Sequence, residues 1–198
     1  MSELHSLFPI NLTANWQSKP VQQLSPLLFD WLNDPNSLTA RLKTNCETFR
    51  VEVLGQQIES CSLKESNTVI NEGDRVLVRE VLLYCDEIPQ VYARSLLPLS
   101  SLTGEEEELA RLGNRPLGQM LFKNPNLQRK NLKISSFEQS PSLSGLLNIL
   151  KLDDSGLLWG RRSLFYLNNK AFSVAEIFLP GAFAYAQAQD DTSTICNP

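Results

Sequence analysis

Apolar and polar positions alternate most clearly in two stretches of the chain. VLVREVLLY–CDEIP–QVYARSLLP holds two β-prone runs around a polar, proline-containing connection, and Pro98 ends the second run. Nearer the C-terminus, RRSLFYL–NNK–AFSVAEIFLP repeats the pattern, with Asn168 and Asn169 suited to the left-handed conformation of a tight turn. A looser alternation of Phe49, Val51 and Val53 predicts a strand within 48–63, bent at Gly55. Helical signals separate these strands. Ser25 and Pro26 form an N-cap and first position for LLFDWLN, and Ser37 caps a second short helix with Leu38 and Leu42 on one face. LTGEEEELARLG reads as a helix whose Glu105–Glu108 run complements the dipole, with Gly113 as its C-terminal cap. Pro116 opens another, PLGQMLFKN, with Leu117, Met120 and Leu121 on one face.

Hairpins interrupted by short helical pairs predict an α+β fold: a single antiparallel sheet with helices covering one face. No internal repeat is present. The expected organisation is an N-terminal extension over 1–20, one domain over 21–180, and a mobile tail over 181–198, rich in Ala, Gln, Asp and Thr.

Some charges break the period-two pattern. Arg79 shares a strand face with Leu77, Val81 and Leu83, and Glu176 shares one with Phe172, Val174 and Phe178. Arg94 falls with Tyr92 and Leu96. A charge among apolar neighbours costs several kcal/mol unless it is paired. The readings stand side by side: Arg79 and Glu176 form a structural pair within the sheet or lie on a solvent-exposed face, or they face a ligand. Glu80, on the opposite face from Arg79, reads as a charge with a local partner. The glutamate run is a solvated helix start rather than a metal site, since consecutive residues point in different directions. Arg161 and Arg162 in Trp159-Gly160-Arg161-Arg162 read as solvated or strand-pairing side chains rather than a nucleic-acid patch.

Composition narrows the chemistry. The 198 residues carry a net charge of −4, which gives no general attraction to nucleic acid or anionic membrane. An anionic ligand therefore has to be held by a few placed cations. The N-terminus has no basic start followed by an apolar core, and no apolar run reaches the ~20 residues that span a bilayer. The Asn11-Leu12-Thr13 triplet is accordingly read as an accident of composition. Cys46, Cys61, Cys85 and Cys196 form no CxxC pair and are expected as reduced thiols in a cytoplasmic protein. The only histidine is His5, which argues against zinc sites and His-dependent nucleophilic catalysis. The work is left to carboxylates, Arg, Lys, Tyr or backbone groups.

The strings VREVLLY, YARSLLP, LGNRPLGQMLF and LWGRRSLFYLNNKAFSVAEIFLP occur in the order and spacing of the bacterial chorismate pyruvate-lyases, and the resemblance runs from about the DWL helix to Pro180. It implies an antiparallel sheet with helical flaps over an enclosed ligand pocket. It also implies cofactor-free conversion of chorismate to 4-hydroxybenzoate and pyruvate, an early step toward ubiquinone or plastoquinone. Matched string by string, Arg79 is expected to bind the ring carboxylate and Glu176 to contact the 4-hydroxyl region. The Leu117 backbone is expected to line the pocket. Leu38 stands where the best-known members have Met, which keeps an apolar wall. Arg94 matches an Arg suited to the enolpyruvyl carboxylate. Catalysis is thus expected from Glu176, Arg79 and Arg94, in a monomer with no metal, nucleic-acid or membrane partner. The alternative is a non-catalytic effector-sensing module of the same fold, as in some transcription regulators; those carry a basic winged-helix segment, whereas only a short acidic-to-neutral stretch precedes the first helix here. One departure is the long connection near 135–156, whose LLNILKL core reads as a surface helix or a reshaped pocket mouth.

Overall fold

The computed structural model describes residues 3–18, 20, 23–138, 140–154 and 156–186. Six antiparallel strands form one open sheet: β1 (Phe49–Ser60), β2 (Arg75–Cys85), β3 (Ile88–Pro98), β4 (Gln128–Phe137), β5 (Leu158–Leu167) and β6 (Lys170–Phe178). Their order across the sheet is β1-β2-β3-β6-β5-β4. Each half is therefore a three-stranded unit, and the halves meet where β3 pairs with β6. The turn between β2 and β3 is tighter than the sequence suggests. Asp86 and Glu87 both take positive φ (48° and 61°), so two residues reverse the chain and Pro89 already lies in the strand. Gly55 sits at a register shift between Val53 and Gly55, where a Cβ would fall 2.1 Å from Cγ of Phe8. The N-terminal segment can cross the sheet closely only because that side chain is missing.

Both faces of the sheet are covered, not one. Over the first face lie α1 (Pro26–Asn33), α2 (Leu38–Lys43) and α3 (Leu117–Leu121). Ser25 and Ser37 cap the first two of these as expected, accepting from Leu28 N–H and Ala40 N–H. Residues Gly104–Arg111 form a 3₁₀ segment rather than an α-helix. Glu106 turns inward there to meet Lys170 and Asn168 of the β5–β6 hairpin, so this glutamate is buried rather than solvated. The second face is covered by α4 (Pro141–Leu150), whose Leu143, Leu146 and Leu147 are fully buried, and by Ile10 and Leu12. The long connection thus contributes core, not a loose surface helix. The stretch expected as an extension also packs on this face through Ile10 and Leu12, and at the outer edge of β4 its Gln17 exchanges backbone hydrogen bonds with Ile134.

Within 181–186, assigned from sequence to the tail, Phe183–Tyr185 form a 3₁₀ turn, and Ala182 and Ala184 are buried. The Tyr185 hydroxyl accepts from Trp159 N–H at 2.7 Å. Residues 187–198 of that tail, Cys196 among them, lie outside the described residues. Cys46, Cys61 and Cys85 are free thiols.

Candidate functional site

Antiparallel register builds the site in rows across the first face of the sheet. One row of directly opposed residues runs Val81, Ala93, Glu176, Arg161; the next runs Arg79, Ser95, Val174, Ser163. Ala93 and Ser95 on β3 are small, so the centre of the sheet is a shallow floor with Arg79 on one side and Glu176 on the other. Two strand spacings, about 10 Å, separate their backbones. The roof comes from Leu38 and Thr39 on α2 and from Leu117, Leu121 and Phe122 around α3. The resulting cavity holds about 550 Å³ of empty space, its mouth included.

Each charged group is fixed by the chain around it. Arg161 donates from Nε to Glu176 Oε2 at 2.7 Å and from Nη1 to the carbonyls of Trp31 and Asp34, both at 2.9 Å. A cation is thereby placed where α1 leaves carbonyls without helical partners. Arg129 on β4 donates from Nε to Ser163 Oγ at 2.7 Å and from Nη1 to Asp34 O at 2.9 Å. Its Nη2 lies 3.7 Å from Glu176 Oε2. Arg79 donates from Nη2 to the carbonyls of Gly113 (2.7 Å) and Arg115 (3.2 Å) in the loop before α3. Burial lowers Arg79 to about 10, and burial together with the charge of Arg161 lowers Arg129 to about 10, so both remain cationic at neutral pH. Arg79 Nε and Arg129 Nη2 are buried without a hydrogen-bond partner. Three guanidiniums and one carboxylate around an apolar-roofed cavity leave a net positive site, with donors available to an anion.

Of the residues singled out in the sequence, Arg79, Glu176, Leu38 and Leu117 all line this cavity, and Arg94 does not. Its side chain lies on the second face, where Nε donates to Glu65 Oε1 at 2.6 Å, Nη2 donates to Glu65 Oε2 at 3.0 Å, and Nη1 pairs with Glu80. Alternation along β3 explains this. Ala93 and Ser95 face the cavity, so Arg94 between them cannot. Burial works against the Arg94 charge, but Glu65 and Glu80 hold it above its ordinary value. The local partner expected for Glu80 is therefore Arg94, and Ile10 N–H joins them at 3.0 Å. Arg79 and Glu176 do not form a pair with each other: Glu176 pairs with Arg161.

Sequence reasoning took Arg161 for a solvated or strand-pairing side chain rather than a site residue, and did not single out Arg129. For Arg161 a signal existed, because alternation along LWGRRSLF sets it with Trp159 and Phe165 on one face. For Arg129 there was none, since Asn131 at φ 53° interrupts the strand register and erases the alternation.

The antiparallel sheet thus closes a cationic, apolar-roofed cavity under short helices. The fold is similar to that of PhnF from Mycobacterium smegmatis, which superposes with a TM-score of 0.56 at 12% identity, covering 73% of this chain and 64% of that one. YydK from Bacillus subtilis gives 0.55 at 14%, covering 77% and 67%. At such identities the likeness concerns fold alone. The chain belongs to the chorismate lyase family, whose sequence model matches residues 10–189. A protein named "Probable chorismate pyruvate-lyase" from Pseudoalteromonas translucida is 42% identical over 179 residues, 90% of this chain and 98% of that one. One of the same name from Psychromonas ingrahamii is 40% identical over 158 residues, covering 80% and 85%.

Proposed function

We propose that the protein is a chorismate pyruvate-lyase that forms 4-hydroxybenzoate and pyruvate without metal or redox cofactor. The observation that carries this reading is the placement of Arg79 and Glu176 on opposite sides of a small-residue floor, with Arg79 Nε unpartnered. Chorismate bears a ring carboxylate at C1, an enolpyruvyl ether at C3, and a hydrogen and hydroxyl at C4, para to the carboxylate. Arg79 takes the ring carboxylate, which sets C4 against Glu176. Leu38 and Leu117 hold the ring from above. Glu176 accepts the C4 proton, the C–H electrons form the C3–C4 ring double bond, and the C3–O bond breaks. Enolpyruvate leaves and is protonated at its methylene carbon to give pyruvate. Aromatisation supplies the driving force, and the protein supplies orientation and a proton acceptor. In this reading the enzyme is a cytoplasmic monomer whose product feeds quinone synthesis.

The test is incubation of purified protein with chorismate in excess EDTA, with products identified by mass. Equimolar 4-hydroxybenzoate and pyruvate are expected. Prephenate, or unchanged chorismate as the only outcome, would defeat the assignment; activity that EDTA abolishes and a divalent ion restores would overturn the metal-free mechanism.

A further inference from the structure

We propose that Arg129 is the substrate's second anchor: it binds the enolpyruvyl carboxylate and makes the site selective for a dianion. The inference rests on the reading above and extends it to a residue outside the recognisable family strings. Arg79 accounts for one carboxylate at one side of the floor. The enolpyruvyl group is attached at C3, next to C4, so its carboxylate falls toward the Glu176 side. Two guanidiniums stand there. Arg161 has committed Nε to Glu176 and Nη1 to the carbonyls at the end of α1. Arg129 has its Nε held by Ser163 and its Nη1 by Asp34, which fixes the plane of the fork, while Nη2 is left with no hydrogen-bond partner. Its side chain is only 10% exposed. A buried donor that is rigidly aimed and unsatisfied is costly unless something accepts from it, and an arginine fork matches a carboxylate. As the C3–O bond breaks, negative charge grows on the departing enolpyruvate, beside the same cation. Arg94, matched to this role by sequence, is sequestered on the other face of the sheet.

The two ligands separate the roles, because 4-hydroxybenzoate lacks the second carboxylate. In Arg129→Met the KM for chorismate is expected to rise about 10²–10³-fold, while the Kd for 4-hydroxybenzoate moves less than about threefold. Arg129→Lys, which keeps charge without the fork, should recover part of the chorismate loss. Arg79→Lys is the contrast and should weaken both ligands. If Arg129→Met fails to fold, Ser163→Ala replaces it: loosening the Nε anchor should raise the chorismate KM and leave product affinity alone. Equal loss of both ligands would make Arg129 a structural tie for the 34–36 loop and overturn the proposal, as would an unchanged chorismate KM. A wild-type protein inert toward chorismate would instead sink the parent reading, and this one with it.

Discussion

Replacing Arg94 by Met should cost stability and spare chemistry. The Arg94 side chain is 2% exposed and that of Glu80 0%. Removing the guanidinium leaves the Glu80 carboxylate buried with only neutral neighbours, Ile10 N–H and the Tyr92 hydroxyl, in place of a cation. Breaking one side of such a pair costs about 3–5 kcal/mol, a large share of a typical net stability of about 5–15 kcal/mol. For a domain of this size that lowers Tm by roughly 6–20 °C. Linkage sharpens the expectation. Burial already raises Glu80 despite the Ile10 and Arg94 contacts that lower it, and losing Arg94 raises it further. The folded variant then binds a proton that the unfolded chain at the same pH does not. Stability from such a group is present at low pH and lost as pH rises through its folded pKa, so the deficit should be large at pH 8 and shrink toward pH 5. Adding Glu80→Gln, which keeps an acceptor for Ile10, should recover much of the loss at pH 8. Urea unfolding of the single and double variants at both pH values reads this directly, with kcat/KM for chorismate measured in parallel. A near-normal Tm together with a tenfold or greater rise in KM would refute the argument and return Arg94 to the ligand.

Three further expectations follow from the packing and the site. Glu176→Gln should bind 4-hydroxybenzoate within a few-fold of wild type yet lose about 10²–10⁴-fold in kcat; near-normal turnover would reduce Glu176 to a positioning role. Leu146→Ala should cost about 2–5 kcal/mol in urea unfolding, since α4 is core to the second face, and a loss under about 1 kcal/mol would show α4 to be dispensable. The hydrogen bond from Lys170 holds Glu106 below the usual carboxylate range, a contribution present near neutrality and lost as pH falls through the folded pKa. Glu106→Gln should therefore be less stable than wild type at pH 7 by about 1 kcal/mol, with the gap closing in acid; a gap that persists at pH 3 would rule out the ion pair as its cause.

The hairpins, the two serine caps and the Arg79 and Glu176 positions were legible because each is a local signal: a period of two, a capping residue, a charge where an apolar side chain belongs. The sheet order was not, since nothing local in β3 or β6 specifies that they pair. Arg94 was misplaced for a related reason. It breaks the apolar pattern as plainly as Arg79 does, but period two assigns it to a face without saying which face holds the cavity. That depended on Ala93 and Ser95, whose small size signals nothing until α2 and α3 are set above them. Segment 140–150 looked like an addition to the domain because its burial requires the far face of the sheet, which the sequence reading left uncovered.

The junction of β3 with β6 also bears on how the molecule assembles. Within each half, strands pair with near neighbours in the chain, whereas the junction brings Ser95 against Val174. Loop-closure entropy makes such distant pairing the slow step, so the halves are expected to form first and dock afterwards. Arg79 belongs to the first half; Glu176, Arg161 and Arg129 belong to the second. On the proposed function neither half alone would hold both ends of the ligand, and binding competence in a refolding experiment should appear with the slowest phase rather than with the first gain of β-structure.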